Sequence, residues 1–140
     1  MMLSFEDVTT LLNGYLTNLG TYPTLPVMVP GPPTNVDADD YAPESLVIIS
    51  LWPGTGLDAE ELFDRAGVQL RTVGRQMDYM SAERLACDCD YAMTSLGISQ
   101  EINGKWTVDI WRAGGSPTLV LKDDGDRYHF FCNYIWEVEY

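Results

Sequence analysis

The C-terminal stretch "RYHFFCNYIWEVEY" (residues 127–140) constrains the fold more than any other part of the chain. Its side chains alternate for about a dozen residues, which predicts one long β-strand. One face carries Tyr128, Phe130, Cys132, Tyr134, Trp136 and Val138; the other carries His129, Phe131, Asn133, Ile135, Glu137 and Glu139. Because both faces hold large apolar residues, the face with Phe131 and Ile135 needs a cover. That cover is either a helix of the same chain or a neighbouring subunit.

Two helices and several further strands are predicted upstream of this strand. Helix one begins after Ser4 as N-cap and ends at Gly20, and helix two spans about residues 81–96 and ends at Gly97. Strands are predicted at residues 25–29, 45–52 and 67–75, and in the stretches "KWTVDIW" and "PTLVLK". In "KWTVDIW" the alternation puts Trp106, Val108 and Ile110 on one face. Asp58 and Glu61 have the spacing of a helical cap, which predicts one helical turn before Gly67.

This order of elements predicts an α+β fold, with a mixed, mostly antiparallel β-sheet and two main α-helices packed on it. A chain of 140 residues fits a single domain spanning residues 1–140. An acidic, proline-rich loop is expected at about residues 30–45.

Asp123, Asp124, Gly125 and Asp126 put three carboxylates around one glycine, as in a calcium loop or the tip of a β-hairpin. A calcium-binding EF-hand loop needs a bidentate glutamate at its twelfth position. Counting from Asp123 or Asp124, that position holds Tyr134 or Ile135, and neither side chain coordinates calcium. A hairpin tip, in which the glycine supplies a positive φ, is therefore the favoured interpretation.

Charge and composition exclude several functions. A formal net charge of −13 with only eight lysines and arginines argues against a nucleic-acid-binding surface. Three cysteines and one histidine, without zinc spacing, predict free buried thiols and no metal or cofactor, and the sequence has no recognisable catalytic motif. The chain is therefore expected to be neither an enzyme nor a metal protein. No signal peptide or membrane span is predicted, which places synthesis and assembly in a cytoplasm.

The middle and the end of the chain carry residues of a recognisable family. "RAGVQLRTVGRQMDYMSAERLACDCDYAMTSLG" resembles the central segment of siphophage minor capsid or tail terminator proteins, at Gly67, Val68, Gln69, Arg71, Asp78, Tyr79, Leu96 and Gly97. The family's ending is similar to Pro117, Asp123, Arg127, Tyr128, Phe130, Cys132, Asn133 and Tyr134. One departure is Asp126, which separates Gly125 from Arg127 and implies a longer turn. The resemblance covers most of the chain outside the acidic loop.

This resemblance implies a structural virion protein at the head-proximal end of a phage tail. Such a protein forms a homohexameric ring that caps the tail tube, stops polymerisation of the major tail tube protein, and joins the tail to a head-completion or stopper protein. DNA would pass through the lumen without specific binding, repelled by some of the carboxylates. Residues expected at subunit, tail or neck interfaces are Asp37, Asp39, Asp40, Tyr41, Asp123, Asp124, Asp126, Phe131 and Ile135.

The sequence leaves three alternative functions open. The chain could be another neck component, such as a head-completion or stopper protein. It could be a small acidic domain that binds a metal or ligand through residues 123–126. It could also be a monomeric α+β binding module.

Overall fold

The structure, a computed structural model, describes residues 3–31, 45–52, 63–96 and 100–139. The helices are α1 (Phe5–Leu19) and α2 (Tyr79–Tyr91), and a π-helical turn, Ala92–Leu96, continues α2. The strands are β1 (Val27–Pro30), β2 (Leu46–Trp52), β3 (Phe63–Val73), β4 (Gln100–Ile102), β5 (Lys105–Arg112), β6 (Thr118–Lys122) and β7 (Tyr128–Glu139). The predicted α+β class is confirmed.

The C-terminal strand β7 lies at the centre of the sheet. The strand order is β1-β2-β3-β7-β5-β4, and only the β1–β2 pair among these described strands is parallel. Along one edge β7 pairs with the full length of β3, from Phe63 opposite Glu139 to Val73 opposite His129. Along its other edge, β5 pairs with its second half and β6 with its first. The long alternating strand predicted from the sequence is therefore the axis on which the sheet is built.

The main core lies between one face of the sheet and both helices. Cys132, Tyr134, Trp136 and Val138 of β7 are buried there, with Val8, Leu12 and Leu16 of α1 and Leu85, Cys89 and Met93 of α2 and its π-helical turn. Phe130 packs separately against Ala82 and Ala86 of α2. We call this the inner face of the sheet. Because side chains alternate along a strand, Phe131 and Ile135 lie on the opposite, outer face, away from α1 and α2.

Helix α1 begins and ends as predicted. The Ser4 hydroxyl accepts from the Asp7 amide at 3.3 Å, the Asp7 carboxylate accepts from the Ser4 amide at 2.8 Å, and Gly20 has a φ of 69°. Asp7 also binds Lys105 at 2.5 Å and the Asn103 amide at 3.0 Å. Burial alone would raise the pKa of Asp7, but these contacts outweigh it and lower that pKa. One carboxylate thus caps the helix and ties it to the β4–β5 hairpin.

Helix α2 starts two residues earlier than predicted, because Asp78 is its N-cap and accepts from the Ser81 amide at 3.0 Å. The predicted end near Leu96 holds, although the last turn is π-helical. Gly97 lies outside the described residues. A Cβ at Gly74 would lie 2.5 Å from the Cβ of Ala82 and 2.8 Å from its backbone nitrogen. A glycine and an alanine therefore allow the start of α2 to contact the end of β3.

Two local predictions need correction, and one hairpin was missed. Phe63–Val73 is strand, so the helical turn expected before Gly67 does not reach residue 63; residues 58–61 lie outside the described chain. In β5 a bulge between Thr107 and Asp109 breaks the alternation, so Thr107 and Ile110 are buried and Trp106 is exposed. The β4–β5 hairpin was not predicted, although Asn103 and Gly104, at φ 52° and 81°, are a standard two-residue turn pair.

Candidate interaction surface

The β6–β7 hairpin ends in a tip held by Asp123. Its carboxylate oxygen Oδ1 accepts from the amides of Gly125 at 2.9 Å and Arg127 at 3.0 Å. The Asp123 amide donates to the Arg127 carbonyl at 2.9 Å, which closes the turn. The predicted hairpin tip is confirmed, but its positive φ of 60° belongs to Asp126 and not to Gly125. The residue between Gly125 and Arg127 therefore takes the left-handed position of a longer turn.

The second oxygen of Asp123 binds the only histidine. Asp123 Oδ2 lies 2.7 Å from His129 Nε2, and Arg71 Nε donates to His129 Nδ1 at 3.0 Å. Because arginine can only donate, Nδ1 is the acceptor, and the ring is neutral with its proton on Nε2. Burial lowers the pKa of His129, while Asp123 opposes that shift and Arg71 adds to it. Burial would raise the pKa of Asp123, but its hydrogen bonds to His129, Arg127 and Gly125 outweigh this and lower it.

The hydrogen bonds of the Asp123 carboxylate argue against a calcium loop at the hairpin tip. Both Asp123 oxygens are already used inside the protein, which leaves Asp124 and Asp126 as the acids at the tip. Asp124 is exposed, and Asp126 lies 3.2 Å from Lys122. Across the part of the chain that the structure describes, no cluster of three or more His, Cys, Asp or Glu side chains could hold a metal ion. The Asp123 carboxylate therefore organises the turn.

An aromatic row crosses the outer face of the sheet. Trp52 of β2 is the partner of Gly67 on β3, Gly67 is the partner of Ile135 on β7, and Ile135 is the partner of Trp111 on β5. A Cβ on Gly67 would lie 3.5 Å from the Trp52 side chain, so the indole leans over the glycine. Trp52 is 50% exposed and Trp111 is 38% exposed. We call Trp52, Gly67, Ile135 and Trp111, with a tryptophan at each end, the outer aromatic row.

The sequence predicted only Ile135 of this row, together with Phe131 four residues earlier. Both side chains are half-buried on the outer face. Trp52 and Trp111 were not predicted as surface residues, because their alignment depends on the register of three strand pairs. Strand β6, which pairs with the first half of β7, has Leu119, Val120 and Leu121 all exposed. Exposed apolar side chains in neighbouring strands are typical of a protein–protein contact.

A polar cluster around the buried carboxylate of Asp90 supports the inner face. The carboxylate of Asp90 on α2 accepts two hydrogen bonds from Arg112 of β5 and one from the Tyr134 hydroxyl at 2.8 Å. Hydrogen bonding to Asp90 raises the pKa of Arg112, and burial raises that of Tyr134. Both carboxylate oxygens of Asp90 have donors, so this cluster joins α2, β5 and β7 without leaving the acid unsatisfied.

The other predicted interface residues, Asp37, Asp39, Asp40 and Tyr41, lie outside the described residues, as does most of the loop at 30–45. The structure brings Phe131 and Ile135 onto one face and places the hairpin tip at one end of β7. None of the helices within the described chain is long and apolar enough to cross a bilayer.

No family model and no curated protein matches this sequence. Solved structures resemble its fold. A chain from the "Virion of native gene transfer agent (GTA) particle" matches with a TM-score of 0.58 and 16% identity, over 95% of this chain and 92% of that chain. A second solved chain, whose name states no function, matches with a TM-score of 0.52 and 19% identity, over 96% of both chains. Both likenesses establish a shared fold along nearly the whole chain.

Proposed function

We propose that this chain is a structural, non-enzymatic subunit of a virion, and specifically a tail terminator. The observation that carries the proposal is the fold shared over 95% of the chain with a component of a gene transfer agent virion. The residues that resemble siphophage tail terminators add independent support, since most of them lie on β3, α2 and β7, the elements at the centre of the fold. As a single domain, the chain would act by assembly with other virion proteins.

The outer aromatic row supports an assembly role. This exposed face carries two tryptophans, with the Arg65–Glu137 ion pair on one side and the exposed apolar strand β6 on the other. An apolar surface of this kind, with aromatic side chains, is typical of a protein contact. We assign Phe131 and Ile135, with Trp52 and Trp111, to contact with another subunit, the tail tube or the neck. The same class of contact is assigned to the hairpin-tip and loop residues Asp123, Asp124, Asp126, Asp37, Asp39, Asp40 and Tyr41.

The proposed assembly is a homohexameric ring at the head-proximal end of the tail. Such a ring stops polymerisation of the major tail tube protein and joins the tail to a head-completion or stopper protein. The net charge of −13 suits a lumen through which DNA passes, because carboxylates on its wall repel phosphates. A ring structure with a neutral or basic lumen and its acids facing outward would contradict this part.

Tube polymerisation tests the function directly. Purified chain is added to the polymerising tail tube protein of the same particle, and tube lengths are measured by electron microscopy. A terminator shortens the tubes and caps one end, whereas a stopper or head-completion protein leaves the length distribution unchanged. Unchanged lengths at saturating chain would therefore overturn the terminator proposal.

A matched pair of variants locates the contact. Trp111→Ser removes an exposed aromatic from the outer face, and Tyr91→Ser removes one from α2 on the other side of the sheet. We expect Trp111→Ser to raise the concentration needed for tube capping by roughly tenfold or more, while Tyr91→Ser changes it less than about twofold. Equal effects of the two variants would argue against the outer face.

A further inference from the structure

Two arginines differ from every other cation of this acidic chain. Six of the eight lysines and arginines have partners: Arg65 pairs with Glu137, Lys105 with Asp7, Arg112 with Asp90 and Lys122 with Asp126, while Arg71 binds His129 and Arg127 binds the Gly74 carbonyl. The guanidinium groups of Arg75 and Arg84 make no hydrogen bond or ion pair with any described residue. Among the described residues, Arg75 and Arg84 are therefore the two cations whose side chains have no such partner.

Arg75 and Arg84 line the same cavity, of about 290 Å³. It is bounded by the α1–β1 connection, the residue before β2, the loop after β3 and the start of α2. Five lining residues carry hydroxyl groups: Thr21, Tyr22, Thr24, Ser45 and Ser81; that of Tyr22 already donates to Asp88 at 2.5 Å. The Ser81 hydroxyl accepts from the Arg75 amide at 3.0 Å, which fixes the backbone beneath that arginine. We call this cavity the arginine cleft.

The chemistry of the cleft fits a carboxylate. Guanidinium groups bind carboxylates through paired N–H donors, and nearby hydroxyls can donate to the remaining lone pairs. The one acid in the described lining, Asp78, already accepts from the Ser81 amide at 3.0 Å as the α2 N-cap. A nucleic acid is a poor occupant, because the net charge of −13 repels a polyanion and two arginines neutralise only two phosphates.

Two exposed acids lie at the opposite end of the sheet. The cleft adjoins the end of β3 and the start of β2, whereas Glu139 is at the far end of β7, opposite Phe63. Glu101 of β4 and Glu139 flank Trp106 in one cross-strand row, and neither acid forms an ion pair with a described residue. We call Glu101 and Glu139 the acid end. A twelve-residue strand spans roughly 35 Å, so the acid end cannot reach the cleft of its own molecule.

We propose that the arginine cleft binds the acid end of a second copy of this chain, with Arg75 and Arg84 paired to Glu101 and Glu139. The contact joins two different patches and is therefore head-to-tail, the kind of contact from which a ring is built when its rotation closes. It deepens the proposed function, on which it rests, by naming the charged part of the subunit contact in the proposed ring.

Charge reversal tests this contact. Variant A is Arg75→Glu with Arg84→Glu, and variant B is Glu101→Arg with Glu139→Arg. Each should weaken self-association by roughly tenfold or more in sedimentation velocity and native mass spectrometry, because like charges then face each other. The reversed side chains are exposed, so the midpoint of thermal unfolding should shift by less than about 3 °C. Glu6→Lys, a charge reversal at an exposed acid of α1 that belongs to neither patch, is the matched control and should leave association unchanged.

The mixture of the two variants gives the decisive result. Variant A has two negative patches and variant B has two positive ones, so an equimolar mixture should restore association as alternating A–B oligomers with even subunit numbers. A chain carrying all four substitutions should also associate, with the polarity of the contact reversed. If A and B each associate like the wild type, or if neither the mixture nor the combined chain recovers, the proposal is overturned.

Further measurements separate the possible failures. If the wild type limits tube length but none of these substitutions changes self-association, only the proposed subunit contact is overturned. A wild type that stays monomeric beside tubes of uncontrolled length overturns both the contact and the terminator proposal. Inorganic phosphate and a labelled single-stranded oligonucleotide should not bind. Binding of either probe that is lost in variant A would overturn the contact and assign the cleft to a phosphate-bearing ligand.

Discussion

His129 Nε2 lies 2.7 Å from the Asp123 carboxylate at the base of the β6–β7 hairpin, and Arg71 donates to the other ring nitrogen. This arrangement requires a neutral imidazole and an ionised carboxylate. Both requirements make the folded hairpin sensitive to acid.

We expect stability to fall as the pH drops below about 6.5. Because burial lowers the folded-state pKa of His129, the unfolded chain binds the proton first, so stability is lost as the pH falls from the ordinary imidazole pKa of about 6.5 towards that lower pKa. The depressed pKa of Asp123 adds a second loss below about pH 4. Denaturant unfolding at several pH values below about 6.5 should show that the unfolding free energy of His129→Gln falls less steeply with pH than that of the wild type, by at most about 1.4 kcal/mol per pH unit. Identical slopes would contradict the neutral-imidazole assignment.

Alanine substitutions of two neighbouring acids at the hairpin tip should change the unfolding free energy by different amounts. Asp123→Ala removes the acceptor for the backbone amides of Gly125 and Arg127 and should cost about 1–3 kcal/mol of unfolding free energy. Asp124→Ala, the adjacent exposed acid, should change the unfolding free energy by less than about 0.5 kcal/mol. Urea unfolding of the two variants checks the difference, and equal effects would contradict the role given to Asp123.

Two glycines of β3 and its following loop should differ in their tolerance of a methyl group. Gly74→Ala should cost about 2 kcal/mol or more, because the new Cβ would lie 2.5 Å from that of Ala82 and 2.8 Å from its backbone nitrogen. Gly67→Ala is the control, since its Cβ would meet Trp52 at 3.5 Å, an ordinary contact distance. Thermal unfolding compares the two variants. A Gly74→Ala variant as stable as the wild type would show that α2 does not approach β3 this closely.

The buried Asp90 cluster should show unequal costs for its members. Asp90→Ala leaves the buried Tyr134 hydroxyl without its acceptor, while the exposed Arg112 guanidinium can bind water instead, so the change should cost about 2 kcal/mol of unfolding free energy. Tyr134→Phe removes a single hydrogen bond and should cost about 1 kcal/mol. Chemical unfolding of both variants and of the double variant measures the coupling. A double variant whose cost equals the sum of the single costs would indicate that the two groups do not interact.

The sequence predicted those elements whose signals are local. Ser4 and Gly20 bound α1 through their own capping contacts, and the alternation of β7 follows from its side chains alone. The strand predicted at β5 is present, but the single face assigned to Trp106, Val108 and Ile110 was wrong. The bulge between Thr107 and Asp109 shifts the register, and a register depends on the partner strand. The β4–β5 hairpin could have been predicted from Asn103 and Gly104.

The candidate surfaces were harder to predict, since they join distant segments. Trp52 and Trp111 come together only through three strand registers that meet at Gly67 and Ile135. Arg75 and Arg84 share a cavity because α2 folds back over the end of β3. Nothing in the spacing of these residues along the chain indicates either arrangement.

Particle assembly with and without this chain tests the proposed tail terminator role. Particles are produced from their complete gene set and from the same set with this chain deleted, and both are imaged by electron microscopy. We expect deletion to give tails of uncontrolled length that are not joined to heads, and restoring the chain to give joined tails of uniform length. Joined tails of normal length in the absence of the chain would show that it is not a tail terminator.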